Sequence, residues 1–287
     1  MTPYSVPAGL NHPFLTTHDL THDRLGTALS PFLIISYFDM TGPVFPPHPH
    51  AGFSVATYIL PESPTGFWNR DTLGTHNAIQ PGSLHWSVAG AGLMHEETVM
   101  RSGRLARGFQ IWIDHPDALR QVPPAALHVA GADMPVTTEG GVTRRLVVGQ
   151  DGTARTPLIT PVEVTILDIR AEPGARWIET VAKDHQSWAW VLEGGLEADG
   201  QKVAAGQALH LASGMAFSAS SAGARLVIFS GKPTGSTVVQ GGPFVGSTRA
   251  EIDGFHARYR SGGMGRLPAF DQAAIDRAFD AAQQNIA

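Results

Sequence analysis

The feature that most restricts how this chain can fold is a rhythm of short β-rich runs broken by glycine and proline turns, and the rhythm occurs twice. In the first half, Phe32 to Phe38, Phe53 to Leu60, Leu84 to Val88 and Phe109 to Ile113 read as strands. Their β-branched and aromatic residues suit a pleated, half-buried surface. In the second half, Val162 to Ile169, Trp188 to Leu192 and Leu226 to Ser230 continue the pattern. Ile79, Gly82 and Gly90 recur at one constant offset as Val203, Gly206 and Gly214, and Tyr58-Ile59-Leu60 recurs as Trp190-Val191-Leu192 across a shorter loop. An all-β chain is expected, its second half a degraded copy of its first. The expected divisions are residues 1–135, 136–235 and 236–287.

The last division changes character. Thr248-x-x-Glu251 is a capping-box signature, followed by Ile252, Phe255 and Tyr259 on one helical face, with Gly262-Gly263 as a stop. A second helix is expected from Phe270 to Ala287, with Ala274, Ile275, Ala278 and Phe279 packed. Neither helix can bury its apolar face alone, so both are expected to dock on the β-structure.

Composition narrows the function. Glycine (32) and proline (21) are abundant, charged residues make up only 16%, and the net charge is -5. That balance argues against a phosphate-backbone partner, which requires a basic face. No stretch is long and apolar enough to span a bilayer, and the first ten residues lack a basic region followed by an apolar core. A cytoplasmic monomer with neither membrane nor direct nucleic-acid contact is expected. There is no cysteine, so a metal would have to be held by His, Asp or Glu.

Such ligands occur as two pairs at i, i+2: His48 with His50, and His95 with Glu97. Side chains two apart on a strand share a face, so two strands facing one cavity would bring three imidazoles and a carboxylate together. Pro47 and Pro49 stiffen the first pair into an extended conformation. A sulfur-free set of this kind suits Fe(II), Mn(II), Ni(II), Zn(II) or Cu(II) and, if six-coordinate, leaves two adjacent positions open. Glu96, on the opposite face from Glu97, is excluded as a ligand. His85 is read as a packed residue and His76 as part of a solvated loop, while Phe53, Trp68 and Trp86 are core aromatics that could also line a cavity. Carried through the repeat offsets, His48, His50, His95 and Glu97 fall on Thr180, Ala182, Ala219 and Ser221, so the second copy has lost every ligand.

The runs His48-Pro49-His50-Ala51-Gly52-Phe53, Asn69-Arg70-Asp71-Thr72-Leu73-Gly74, Ile79 to Trp86, Ala89 to Glu97 and Gly242-Pro243-Phe244-Val245 together resemble the pirin family of the cupin superfamily. The resemblance implies a bicupin: two antiparallel cupin-type β-barrels with C-terminal helices, the first holding one metal ion, usually iron, and the second none. The family's three histidines and one glutamate fall on His48, His50, His95 and Glu97. Ala51 stands where the family usually has Arg, Ser54 where Glu is common, and His85-Trp86-Ser87-Val88 where Gln-Trp-Met-Thr is typical. The implied activity is that of a quercetin 2,3-dioxygenase, acting on a flavonol or similar aromatic enol and dioxygen, with Glu97 as ligand and base. The alternative it implies is a non-catalytic redox-sensing regulator that binds a protein partner through the iron-containing barrel. A cupin isomerase or hydrolase using the same shell as a Lewis acid is a third option.

Overall fold

In the computed structural model, which describes residues 2–284, the paired strands run antiparallel and the long helices lie near the C-terminus. The all-β expectation holds. Contacts gather the chain into two units. One contains Ala8–Asp19, Leu33–Ala132 and the chain from Thr234 onward; the other contains the chain up to Pro7, Leu20–Phe32 and Asp133–Pro233. These are not the three consecutive spans expected from sequence. Edge pairing is one reason: Tyr4–Ser5 adds to Gln207–His210 in the second unit, and Trp188 Nε1 donates to Ala28 O at 2.8 Å. The C-terminal segment, for its part, docks on the first unit.

The first unit consists mainly of two sheets. Seven strands run in the order Ala125–Val129, Leu84–Val88, Phe53–Ile59, Ala106–Asp114, Phe32–Met40, Leu15–Thr21 and Ala8–His12. Four more run in the order His48–His50, Leu93–Val99, Phe67–Asp71 and His76–Ile79. Phe38, Met40 and Ile59 from the larger sheet pack against Phe67, Ile79 and Val99 from the smaller, closing one end of the space between them.

The second unit is mainly one nine-stranded sheet around an apolar core, with a short two-stranded hairpin, Gln150–Asp151 and Ala154–Arg155, beside it. Its two longest strands, Gln186–Ala198 and Met215–Gly231, pair with each other and with different neighbours along their length. Register shifts flank Gly194, where the ladder bends.

The internal repeat is real in backbone terms. Gly82 N donates to Ile59 O and Gly206 N to Val191 O, both at 2.9 Å. The two glycines hold φ values of +82° and +81°, a region where a side chain is strained. The correspondence fails only at the first ligand pair. His48 lies opposite His95, and the register of the matching strands continues to Ala175 opposite Ala219. Ala175 and Trp177, not Thr180 and Ala182, are therefore the counterparts of His48 and His50. Simple offsets miss this because the loop before the turn changes length. Ala219 and Trp177 belong to the apolar core, so the place of the ligands is filled by hydrocarbon.

At the C-terminus, Thr248 caps the Arg249–Arg260 helix by accepting from Glu251 N at 3.2 Å, and the Glu251 carboxylate accepts from Ser247 N at 2.6 Å. Ile252 and Phe255 are buried, whereas Tyr259 is exposed and only edges onto Phe244. On the Gln272–Gln284 helix, Ala274, Ile275 and Phe279 are half-buried as expected, and one expected position is not. Ala278 is exposed, and the helix is held by polar contacts from Gln272, Asp276 and Asp280 to Thr98, Ser102 and Arg101. The end of the expected helix, residues 285–287, lies outside the described residues.

Candidate metal centre

The three histidines meet because two strands pair in one register. His48–His50 runs antiparallel to Leu93–Val99 with His48 opposite His95 and His50 opposite Leu93. Alternation then turns His48, His50 and His95 to one side. Their ring centroids are 4.6, 4.8 and 5.0 Å apart, and one ligand nitrogen from each lies within 4.8 Å of the others.

Hydrogen bonds orient two of the rings. His48 Nδ1 is 2.9 Å from Pro46 O and His50 Nδ1 is 3.3 Å from Pro243 O. A carbonyl can only accept, so both Nδ1 atoms carry hydrogen and both neutral rings turn a bare Nε2 inward. Burial keeps all three neutral, lowering His48, bringing His50 down to about 3 and holding His95 well below the ordinary histidine value; neighbouring rings add to the effect at His50 and His95. His95 Nε2 faces His48 Nε2 at 3.1 Å, and His95 Nδ1 is buried without a partner. Converging imidazole lone pairs are the donor set a divalent cation needs, so the residues fit a metal.

Glu97 departs from the four-ligand expectation. It lines the same cavity as the histidines, but the group of closely spaced ligand atoms contains the histidines alone. Both carboxylate oxygens lie at 2.9 and 2.8 Å from Thr57 Oγ1. The contact that holds the carboxylate is the Thr57 hydroxyl, on a different strand, which both of its oxygens share. Burial pushes Glu97 up to about 7, against the opposing pull of the Thr57 hydroxyl. Glu96, on the other face, pairs with Arg70 at 2.9 Å, as alternation requires.

A segment far along the chain supports His50 from behind. Val245 N donates to Ala51 O at 3.0 Å, and Gly52 follows with φ +87°. A Cβ on Gly52 would lie 1.7 Å from Val245 O, so only glycine admits that approach. The wholly buried Arg120 ties the layers together, reaching Gly52 O at 3.1 Å, Thr237 O at 3.1 Å and Asp114 at 2.9 Å. This packing is why the His48–Phe53 and Gly242–Val245 motifs occur in one chain.

The histidines open onto a cavity of about 440 Å³. Its walls are mostly apolar, among them Ile34, Phe38, Phe67 and Trp112, with Leu10 and Phe45 half exposed at its edge. No lysine or arginine lines it; Asp19 and Glu97 are its carboxylates. Asp19 accepts from Ser36 Oγ at 2.5 Å and from Thr17 Oγ1 at 3.1 Å, which leaves acceptor capacity facing the cavity.

Of the aromatic candidates, none lines the cavity, and Phe53 and Trp86 follow their reading as core residues. Trp86 is buried in the core, Phe53 packs beneath Val245, and Trp68 meets His76 with centroids 5.8 Å apart. His85 is buried, as read, but His76 lies on a strand rather than in a loop. The cavity aromatic that sequence reasoning missed is Trp112. It shares a strand face with Gln110, and their i, i+2 spacing was a usable signal.

Residues 9–113 match the family described as Pirin, and residues 166–265 match that described as Pirin C-terminal cupin domain. Pirin-1 of Arabidopsis thaliana is 30% identical over 234 residues, covering 78% of this chain and 80% of the relative. A Pseudomonas aeruginosa protein provisionally named as a quercetin 2,3-dioxygenase is 30% identical over 247 residues, covering 81% and 86%. The crystal structure of quercetin 2,3-dioxygenase from Acinetobacter baumannii shares the fold with a TM-score of 0.78 at 24% identity, covering 92% of this chain and 99% of that one. A bacterial pirin from Escherichia coli in complex with nickel(II) superposes with a TM-score of 0.63 at 17% identity, covering 80% and 98%. With two pirin profiles matched in order along it, this chain belongs to the pirin family and is built of two cupin domains.

Proposed function

We propose that this chain is a metal-dependent dioxygenase that opens an aromatic enol of the flavonol type, with iron(II) held by His48, His50 and His95 and joined by Glu97. The observation that carries the reading is the convergence of three neutral imidazoles and a carboxylate raised to about 7 in one cation-free, aromatic-walled cavity. At about 440 Å³ the space falls within the roughly 300–1,000 Å³ of small-molecule sites. When bound, iron(II) supplies the open positions at which an ionised enol and dioxygen come together.

The chain's own residues have distinct tasks. Glu97 takes the enol proton, a role that suits a base poised near neutrality. Thr57 can donate to the ionised carboxylate and can turn to Gln110 Oε1, 2.9 Å away, once Glu97 is protonated. Flat apolar walls hold the rings and exclude water. With no cation in the lining, a substrate carrying a second negative charge meets Asp19 unopposed. The site therefore favours a neutral molecule with one ionisable enol and hydroxyl donors at its far end.

The test is anaerobic reconstitution with Fe(II), followed by oxygen uptake and ring-cleavage measurements on a flavonol panel. Turnover that Glu97→Gln abolishes while iron stays bound supports the reading. Iron bound with no turnover of any flavonol rejects it in favour of a redox-responsive regulator, and full activity of Glu97→Gln rejects the base.

A further inference from the structure

The second cupin domain lacks the metal ligands, yet it contains a cavity of about 240 Å³ lined by Thr165, Thr180, His185, Ser230 and Glu163, with Leu167 and Ile228 among its apolar residues. The repeat shows what this cavity replaces. Trp112 pairs with Val55 in the first domain, and Ser230 pairs with Ser187 at the matching rungs of the second. One turn earlier, Phe53 corresponds to His185. In the first domain these three positions form an apolar plug: Phe53 and Trp112 pack with centroids 4.6 Å apart, in one cluster with Val55 and Val245. In the second domain all three are polar and bonded to one another. Ser187 Oγ donates to Ser230 Oγ at 2.8 Å, and Ser230 Oγ lies 3.0 Å from His185 Nδ1.

Ser230 Oγ accepts from Ser187 and lies within hydrogen-bond distance of His185 Nδ1; where Ser230 gives its hydrogen to Nδ1, the ring hydrogen sits on Nε2. The His185 side chain is 5% exposed, its Nε2 has no hydrogen-bond partner, and Glu163 Oε1 lies 3.5 Å away. Nε2 therefore has only the Glu163 carboxylate near it, just beyond a good hydrogen bond, and a ligand hydroxyl set between the two would satisfy both. Thr165 lies on the rung opposite Ser230 and adds a hydroxyl to the same wall.

We propose that the second cupin domain binds a neutral polyhydroxylated molecule of monosaccharide size in this cavity. Such a ligand combines hydroxyls, which donate to Glu163 while accepting from His185, with carbon faces that cover Leu167 and Ile228. An anion is disfavoured because Glu163 and Asp151 both line the cavity, and the guanidinium bonded to Asp151, that of Arg144, is already shared with Glu179. The volume is below the roughly 300–1,000 Å³ of drug-sized sites, which sets the size.

The experiment is NMR of the full chain labelled at histidine, titrated with D-glucose, D-ribose and, as the competing occupant, methylammonium. A saturable shift of the His185 ring with either sugar is expected, weakened at least tenfold in His185→Ala and several-fold in Thr165→Val, with the metal content of the first domain unchanged. Thr165→Val keeps the shape of the wall, so its result stands if His185→Ala fails to fold. No saturable shift with either sugar overturns the proposal. So does a sugar shift that survives Thr165→Val and His185→Ala undiminished, or saturation by methylammonium alone.

Discussion

The Thr57 hydroxyl has one hydrogen and three acceptors within reach: Glu97 Oε1 at 2.9 Å, Glu97 Oε2 at 2.8 Å and Gln110 Oε1 at 2.9 Å. Replacing Thr57 by valine removes that hydrogen and keeps the side chain's outline. Ionised Glu97 then loses a charge-assisted bond worth about 1.5–3 kcal/mol, whereas protonated Glu97 loses only a neutral one of about 1 kcal/mol. The difference, about 0.5–2 kcal/mol, is a rise of roughly half to one and a half pH units at about 1.36 kcal/mol per unit. Thr57→Val should therefore move Glu97 from about 7 to between roughly 7.5 and 8.5 in the metal-free protein. Carboxyl-carbon NMR of glutamate-labelled protein reads this directly, and Thr57→Ser, which keeps the donor, should leave the titration near its original place. A Glu97 titration that stays put or falls in Thr57→Val would refute the claim that this hydroxyl holds the carboxylate.

Other outcomes follow from buried charge. His50 and His85 are brought down to about 3 and His115 to about 4 by burial, so the unfolded chain takes up protons near the ordinary 6.5 that the folded chain refuses. Their stabilising contribution is present above that value and fades as pH falls through it, by about 2 kcal/mol each at about pH 5. Glu97, raised instead, gains about 2 kcal/mol over the same interval, so these four groups together contribute a net loss of about 4 kcal/mol between about pH 7.5 and pH 5, to which the lowered His48 and His95 add; equal midpoints in urea melts of metal-free protein would contradict it. Arg120→Met leaves Asp114 buried without its cation and should cost about 3–5 kcal/mol, with Asp114→Asn in the double variant recovering part; a cost below about 1 kcal/mol would mean the pair is not what anchors this layer. Asp19→Asn should weaken binding of a polyhydroxylated flavonol to the metal-free protein about tenfold, as judged by tryptophan fluorescence, and leave a fully O-methylated analogue unchanged; equal losses for both would remove Asp19 as an acceptor.

Local chemistry made much of this architecture readable. His48, His50 and His95 could be placed on one face because strand alternation depends only on neighbours along the chain, and the Thr248–Glu251 cap is local for the same reason. Gly82 and Gly206 could be equated because a left-handed turn leaves its mark in a single residue. What escaped depends on partners brought in from elsewhere. Thr57 lies on a different strand from Glu97, and nothing at position 97 announces the hydroxyl that turns its carboxylate. Tyr4–Ser5 joins the second unit through an edge some two hundred residues away, a pairing with no local signature. The place of His48 in the second copy was misjudged by five residues because constant offsets cannot follow a loop that changes length.

Glu96 and Glu97 are the same residue type side by side, and the strand alone decides which one meets the cavity. A slip of one position along Leu93–Val99 would turn Glu96 inward, replace His95 by Met94 and dismantle the site. The outward face resists that slip. Arg70 lies on the rung opposite Glu96 and pairs with it at 2.9 Å, while the Pro268 carbonyl accepts from the same guanidinium. Phe270 N donates to Glu96 at 2.8 Å, and its ring lies 3.8 Å beneath the Arg70 guanidinium. Two residues on, Thr98 donates to Gln272 at 2.6 Å. In the slipped register each of these partners would face an inward-type side chain: Arg70 would meet His95 or Glu97 across the sheet, and the backbone of Phe270 would lose its carboxylate. Because the inner and outer sets alternate along one strand, every contact that fixes Glu96 outside also fixes Glu97 inside. The Pro268–Gln272 stretch thus contributes to the candidate site without touching it, by favouring one register of the strand that holds His95 and Glu97 over its neighbours.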